Sequence, residues 1–309
     1  MSYFDCTAPS CSPSFGAIAL LVSPKRKDLG EFSVARALPA KERPSVGPFV
    51  FFDHMGPADF GPGQGIQVRP HPHIGIATIT YLFEGLIVHR DSLGFVQPIE
   101  PGAVNLMIAG RGIVHSERAG SDIGVRSRLH GIQCWLALPE KELEREPDFV
   151  HYPADAIPEF VVGGTGSGAS ASGVSARLII GSAFGRQSPV PSFAETLYLE
   201  LELAAGARLE VPPLAPELGA YVVSGRPRVD GEPLETGTLA VFRTGTAFTL
   251  EAAGAARVML FGGENLGPRI LWWNFVAPTA ERIERAKADW KGGRFPGIAG
   301  DDEFIPLPE

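Results

Sequence analysis

The stretch HPHIGIATITYLFEG, His71 to Gly85, decides how this chain is read. Its centre, Ala77 to Phe83 (ATITYLF), is rich in β-branched and aromatic residues that suit a pleated, buried surface, with Gly75 and Gly85 as its bounds. In a strand, residues two apart share a face, so His71 and His73 aim both imidazoles into one space while Pro72 turns away. Further along, AGRGIVHSER (Ala109 to Arg118) repeats the device with His115 and Glu117 on either side of Ser116. Between about Phe32 and Leu138 the chain is broken by Gly85, Gly94, Gly102, Gly110 and Gly112, the pattern of short strands joined by tight turns.

Two such pairs meeting inside a β-barrel bring together three nitrogen donors and one carboxylate oxygen. His71, His73, His115 and Glu117 are therefore the predicted metal ligands. Neutral imidazole with carboxylate suits iron, manganese, nickel, copper, zinc or cobalt, and the lack of a cysteine pair excludes a closed zinc knuckle. As the one carboxylate of the set, Glu117 is also the predicted general base.

Composition narrows the classes of partner. A formal net charge of -8 and the absence of any Lys/Arg block argue against direct nucleic-acid binding. The 3 cysteines, Cys6, Cys11 and Cys134, form no CxxC pair and read as reduced thiols in a cytoplasmic compartment, Cys134 being a small buried hydrophobe. The apolar run Ala17 to Val22 is far shorter than the roughly 20 residues a membrane span needs, and it lacks signal-peptide flanks.

A length of 309 residues with 44% hydrophobic and 20% charged residues predicts two globular domains, and 37 glycines with 28 prolines predict that they are all-β. The expected order is an N-terminal segment over 1–30, a metal-binding domain over 31–150, a Gly/Ser-rich connector over 151–175, a second β domain over 176–270, and a helix and tail over 271–309. Met1 to Pro13 has no periodicity. Pro139 and Pro147 bracket EKELERE, read as a short charged helix. GGTGSGASASG (Gly163 to Gly173) lacks the Gly-Lys-Ser/Thr ending of a phosphate loop and reads as a linker. Beyond it come β runs at Leu197 to Leu203 (LYLELEL), Ala220 to Ser224, Leu239 to Arg243 and Arg257 to Phe261, with turns at Ala205-Gly206, Asp230-Gly231-Glu232 and Thr236-Gly237. Pro278 to Trp290 predicts an amphipathic helix with an apolar stripe of Ile283, Ala286 and Trp290, docked on a barrel wall.

The remaining histidines carry weaker signals. His54 and His89 sit beside Asp53 and Asp91 and read as turn or core hydrogen bonds ahead of groups that orient a ligand. His130 and His151 read as ordinary core or surface residues. Phe51, Phe52, Met55, Phe83 and Met107 are candidate linings for a planar aromatic ligand, with about half of them expected to be plain core.

Gly65, five residues and then His71-x-His73 follows the first cupin motif, and Gly110-x-Gly112-x-x-His115 resembles the second. An ordinary cupin carries its glutamate a few residues after HxH, where this chain has Ile76, Ala77 and Thr78; here the carboxylate is Glu117. That relocation, with VGPFVFFDHMGP (Val46 to Pro57), HRDSLG (His89 to Gly94) and WWNFVAPTAERIERAKADW (Trp272 to Trp290), resembles the pirin family over nearly the whole chain after about residue 30. The resemblance implies a bicupin of two antiparallel jelly-roll barrels with a C-terminal helix. It also implies a metal, typically iron, held in the N-terminal barrel through His71, His73, His115 and Glu117, and a C-terminal barrel without ligands. No histidine follows His151, in agreement.

Bacterial pirins are similar to quercetin 2,3-dioxygenases, which act on a small aromatic enol and O2, whereas animal pirins act as transcription co-regulators whose iron state affects protein partners. The leading expectation is therefore a dioxygenase cleaving a flavonol or related enol, with Glu117 accepting the substrate hydroxyl proton. The alternative is a non-catalytic, iron-dependent redox sensor that binds a protein partner. A metal-dependent isomerase would use the same ligands.

Overall fold

The computed structural model describes residues 16–28, 32–163 and 173–308. The N-terminal stretch Met1 to Pro13, with Cys6 and Cys11, and nearly all of the Gly163 to Gly173 linker lie outside the described residues. The described chain is all-β apart from single-turn 3-10 segments and one α-helix, and it forms two cupin domains. The two compact units interleave along the sequence. One gathers Arg26–Val34, Val50–Asp155 and Leu266–Glu309; the other gathers Met1–Lys25, Ala35–Phe49 and Ala156–Asn265.

In the unit that carries the predicted ligands, a four-stranded sheet runs in the order Gln67–His73, Ile113–Ala119, Ile87–Asp91, Val96–Ile99. A seven-stranded sheet contains Val104–Ile108, Ile76–Glu84, Ser127–Ala137 and Phe49–Phe60 at its centre. All pairings between these named strands are antiparallel where the register is defined. Two apolar clusters fill the interior beside the polar residues. Phe51, Ile76, Met107, Ile113, Trp135 and Phe149 belong to one, and Met55, Leu82, Ile87, Ile99 and Leu129 to the other. The motif glycines are required by close approach. A Cβ on Gly110, whose φ is +50°, would sit 2.3 Å from the Arg145 carbonyl oxygen, and one on Gly112 would sit 2.8 Å from the Phe295 ring.

The helix spans Ala280–Lys291, capped by Thr279, whose hydroxyl accepts from the Arg282 amide. Ile283 and Ala286 are buried against Ile74, Phe275 and Ala277, with Trp290 packed beside them, so the predicted stripe is the docking face. EKELERE is not a full helix: only Glu140–Glu142 forms a 3-10 turn. Seven residues between two prolines are too few to repay helix nucleation, and four glutamates repel one another along them.

The other unit repeats the plan. Its seven-stranded sheet includes Val174–Ile180, Thr196–Leu203, Ala256–Gly263, Glu217–Ser224 and Leu239–Phe242, and its four-stranded sheet includes Ala207–Val211 and Phe248–Ala252. The apolar run near the N-terminus is a strand of this unit: Ile18–Val22 pairs antiparallel with Leu239–Phe242. Asp230 and Gly231, both at positive φ, make the two-residue hairpin turn read from the sequence. No helix among the described residues is long and apolar enough to cross a membrane.

Candidate metal centre

Register brings the two sequence pairs together. His71 lies opposite His115 and His73 opposite Ile113, and a bulge between His115 and Glu117 shifts Glu117 to a position opposite Val68. One nitrogen from each of His71, His73 and His115 lies within 4.8 Å of the others, and this is the one such cluster of three or more metal-binding side chains among the described residues. Ring centroids are 5.0 Å apart for His71 and His73, 4.4 Å for His71 and His115, and 5.0 Å for His73 and His115. Glu117 is not part of this 4.8 Å cluster.

The chemistry of the donors fits a cation. Burial pushes the His71 ring down to about 4, against the favourable hydrogen bond to Arg69 and with a further push from His89. Burial, and then the neighbouring rings, push His73 and His115 well below the usual histidine range. All three are therefore neutral at pH 7 and offer lone pairs without releasing a proton. His71 Nδ1 donates to the Arg69 carbonyl at 2.8 Å, which leaves Nε2 as its lone-pair atom. His115 Nε2 and His73 Nδ1 are buried without a hydrogen-bond partner. Orphaned polar atoms cost about 1–3 kcal/mol each in a protein interior, and a bound cation removes that cost.

Glu117 is buried and bridges the two sheets: its Oε1 accepts from Gln133 Nε2 at 2.6 Å and from Thr80 Oγ1 at 3.4 Å. Desolvation pushes its carboxyl up to about 7, against the lowering effect of these two hydrogen bonds. Gln133 had no signature in the sequence, because its strand meets Glu117 only through tertiary pairing.

An aromatic wall stands beside the histidines. Phe51 stacks on Trp135 with ring centroids 3.9 Å apart, and Trp135 meets His73 edge-on at 5.0 Å. Of the five candidate lining residues, Phe51 and Met107 share the Trp135 cluster and Met55 lies in the other interior cluster. Phe52 and Phe83 alternate away from Phe51 and Leu82 and lie on the opposite face of the sheet, where Phe52 is buried and half-buried Phe83 packs against Tyr81 and His130. His54 bonds His130 at 2.8 Å, and half-buried His151 bonds Asn105 at 2.5 Å. His89 differs from these three. Its Nδ1 lies 3.3 Å from His115 Nδ1, and its Nε2 lies 2.9 Å from Asp91 Oδ2.

Comparison with known proteins matches the same two halves. Residues 31–136 match the pirin family model and residues 198–296 the pirin C-terminal cupin domain. A pirin-like protein of Caulobacter vibrioides is 46% identical over 297 residues, covering 94% of this chain and 100% of that one. Human pirin is 31% identical over 270 residues, covering 84% of this chain and 87% of its own length. A crystal structure of quercetin 2,3-dioxygenase from Acinetobacter baumannii superposes with a TM-score of 0.85 at 32% identity, covering 94% of this chain and 95% of that one. Alike in sequence across both barrels and in the path of the backbone, the chain belongs to the pirin family.

Proposed function

We propose that this protein is a metal-dependent oxygenase of the quercetin 2,3-dioxygenase type, acting on a flavonol or a related enol with O2. The observation that carries the reading is the set of three buried, neutral imidazoles whose nitrogens close to within 4.8 Å, with the buried carboxyl of Glu117 two residues from His115 on the same strand. His71, His73 and His115 are the nitrogen donors, with Glu117 as the carboxylate that joins them or accepts a proton beside them. Iron is the leading metal by family, and manganese, nickel, copper, zinc and cobalt suit the same donors. Bound there, such a metal would supply Lewis acidity that favours ionisation of a hydroxy-ketone, and the redox-active members of that set would also supply a path for electrons to dioxygen.

The remaining work falls to the chain. Gln133 and Thr80 both bond Oε1 of Glu117, which leaves Oε2 to receive the substrate hydroxyl proton. Burial favours the protonated form of that carboxyl, which suits it to take up the proton. Phe51 and Trp135 form a flat apolar wall that orients a planar ring and excludes water. A reducing, cytoplasmic setting is part of this reading, as expected of a chain with 3 cysteines and no CxxC pair.

The test is loss of quercetin absorbance in air with protein loaded in turn with each of these metals. Consumption that is abolished in Glu117→Gln supports the reading. No consumption with any metal ends it and leaves the iron-dependent sensor as the surviving alternative.

A further inference from the structure

The HRDSLG stretch, His89 to Gly94, lies against the strand that carries His115, with Asp91 opposite His115 and His89 opposite Glu117 in register. Asp91 is built into this corner as an acceptor. Its Oδ1 takes the Leu93 amide at 2.9 Å and the Phe95 amide at 3.1 Å, closing the hairpin turn, while its Oδ2 faces His89 Nε2 at 2.9 Å. Ser92 ties the same corner to the backbone beside His115. Its amide donates to the Val114 carbonyl at 2.9 Å, and its hydroxyl accepts from the Val114 amide at 3.2 Å. Phe149 stacks on the His89 ring, with centroids 4.4 Å apart and planes 17° apart, which fixes the plane of that ring.

The direction of the hydrogen bonds follows from what each atom can do. A carboxylate oxygen only accepts, so the ring proton of His89 sits on Nε2. Nδ1 of that ring then keeps its lone pair and accepts from Nδ1–H of His115 across 3.3 Å. His115 is left with its lone pair on Nε2, the buried atom that has no hydrogen-bond partner. We propose that Asp91 and His89 are positioning residues that set the tautomer and ring orientation of His115, so that its Nε2 lone pair is presented to the metal. The inference rests on reading His71, His73 and His115 as the metal site. It adds to that reading a carboxylate and a second imidazole in series behind one ligand.

Two measurements that need no turnover test it. Long-range proton–nitrogen NMR spectra of the metal-free protein report which ring nitrogen carries the proton. The expected result is Nδ1 for His115 and Nε2 for His89, and a proton on His115 Nε2 or on His89 Nδ1 overturns the proposal. Zinc(II) titration followed by calorimetry then separates the roles. His89→Phe keeps an aromatic ring against Phe149 but deletes both nitrogens, and it is expected to weaken zinc binding about 10–100-fold. His89→Asn places an amide oxygen where Nδ1 was and is expected to recover most of that loss. Equal zinc affinity in the wild type and His89→Phe overturns the proposal. If quercetin is never consumed but both measurements come out as stated, the relay stands and the dioxygenase reading falls. If His115→Ala binds zinc as tightly as the wild type, the metal-site reading falls and takes this inference with it.

Discussion

The two barrels share a plan, a four-stranded sheet with a seven-stranded one, and fill it with opposite chemistry. In one, His71, His73, Thr78, Thr80, His89, Asp91, Asn105, His115 and Glu117 are all buried. In the other, a buried aliphatic and aromatic cluster includes Leu199, Leu201, Leu218, Val222, Leu250, Val258 and Leu260. Burying polar groups costs free energy that buried apolar area supplies, so a fold that duplicates a barrel can keep one copy dry and devote the other to ligands.

That contrast is open to direct tests. The largest effect is expected from His73→Ala, which reduces metal content by elemental analysis to near background, with Glu117→Ala also lowering it. Full metal retention in both would break the assignment of the polar barrel as the metal site. Next, Leu250→Ala in the apolar barrel is expected to lower unfolding stability by about 2–5 kcal/mol, read by denaturant titration, and to leave the metal content of the folded protein unchanged. Loss of metal there would mean that the barrels do not divide the labour.

Acid should sharpen the contrast. Burial, and then His130, push His54 down to about 4 from a reference of 6.5, and His71 is also held at about 4. Below pH 6.5 the unfolded chain therefore takes up protons that these folded rings refuse until the pH nears 4. The contribution of these two rings to the stability of the metal-free protein is expected to fall as pH drops through that interval, by up to about 3 kcal/mol for each ring. Glu117 works in the opposite sense. Between pH 4.5 and about 7 the folded state keeps a proton that the unfolded chain has released, so its contribution falls as pH rises. Metal-free Glu117→Gln should lose that slope, by up to about 3 kcal/mol relative to wild type above pH 7. Parallel pH curves for the two proteins would remove the case for a carboxyl poised near neutrality. The smallest effect is expected from Thr279→Ala, which removes the helix cap and lowers melting stability by about 1 kcal/mol.

What could be read in advance follows from the range over which each signal acts. HPH and HSE announce themselves because alternation is a property of two successive peptide units, and it needs no knowledge of the partner strand. The Asp230-Gly231 turn and the Ile283, Ala286 and Trp290 stripe are local in the same way. The lining was only partly legible. Phe51 and Phe52 look equivalent in sequence, and the structure separates them because neighbouring residues face opposite sides of the sheet. Trp135 and Gln133, which meet His73 and Glu117, lie on a strand whose text carries no motif.

By itself, then, the sequence determined that this is an all-β pirin-type chain in which His71, His73, His115 and Glu117 face inward on two short strands. Only the tertiary structure decided that the three histidines close to within 4.8 Å while Glu117 reaches across to Gln133 and Thr80. It also decided that His89 stands behind His115 and that Ile18–Val22 completes the sheet formed by the far end of the chain. The physical reason is common to all of these. Facing is set by the local backbone, whereas distance between side chains on different strands depends on register, bulges and sheet order, which the whole fold settles together.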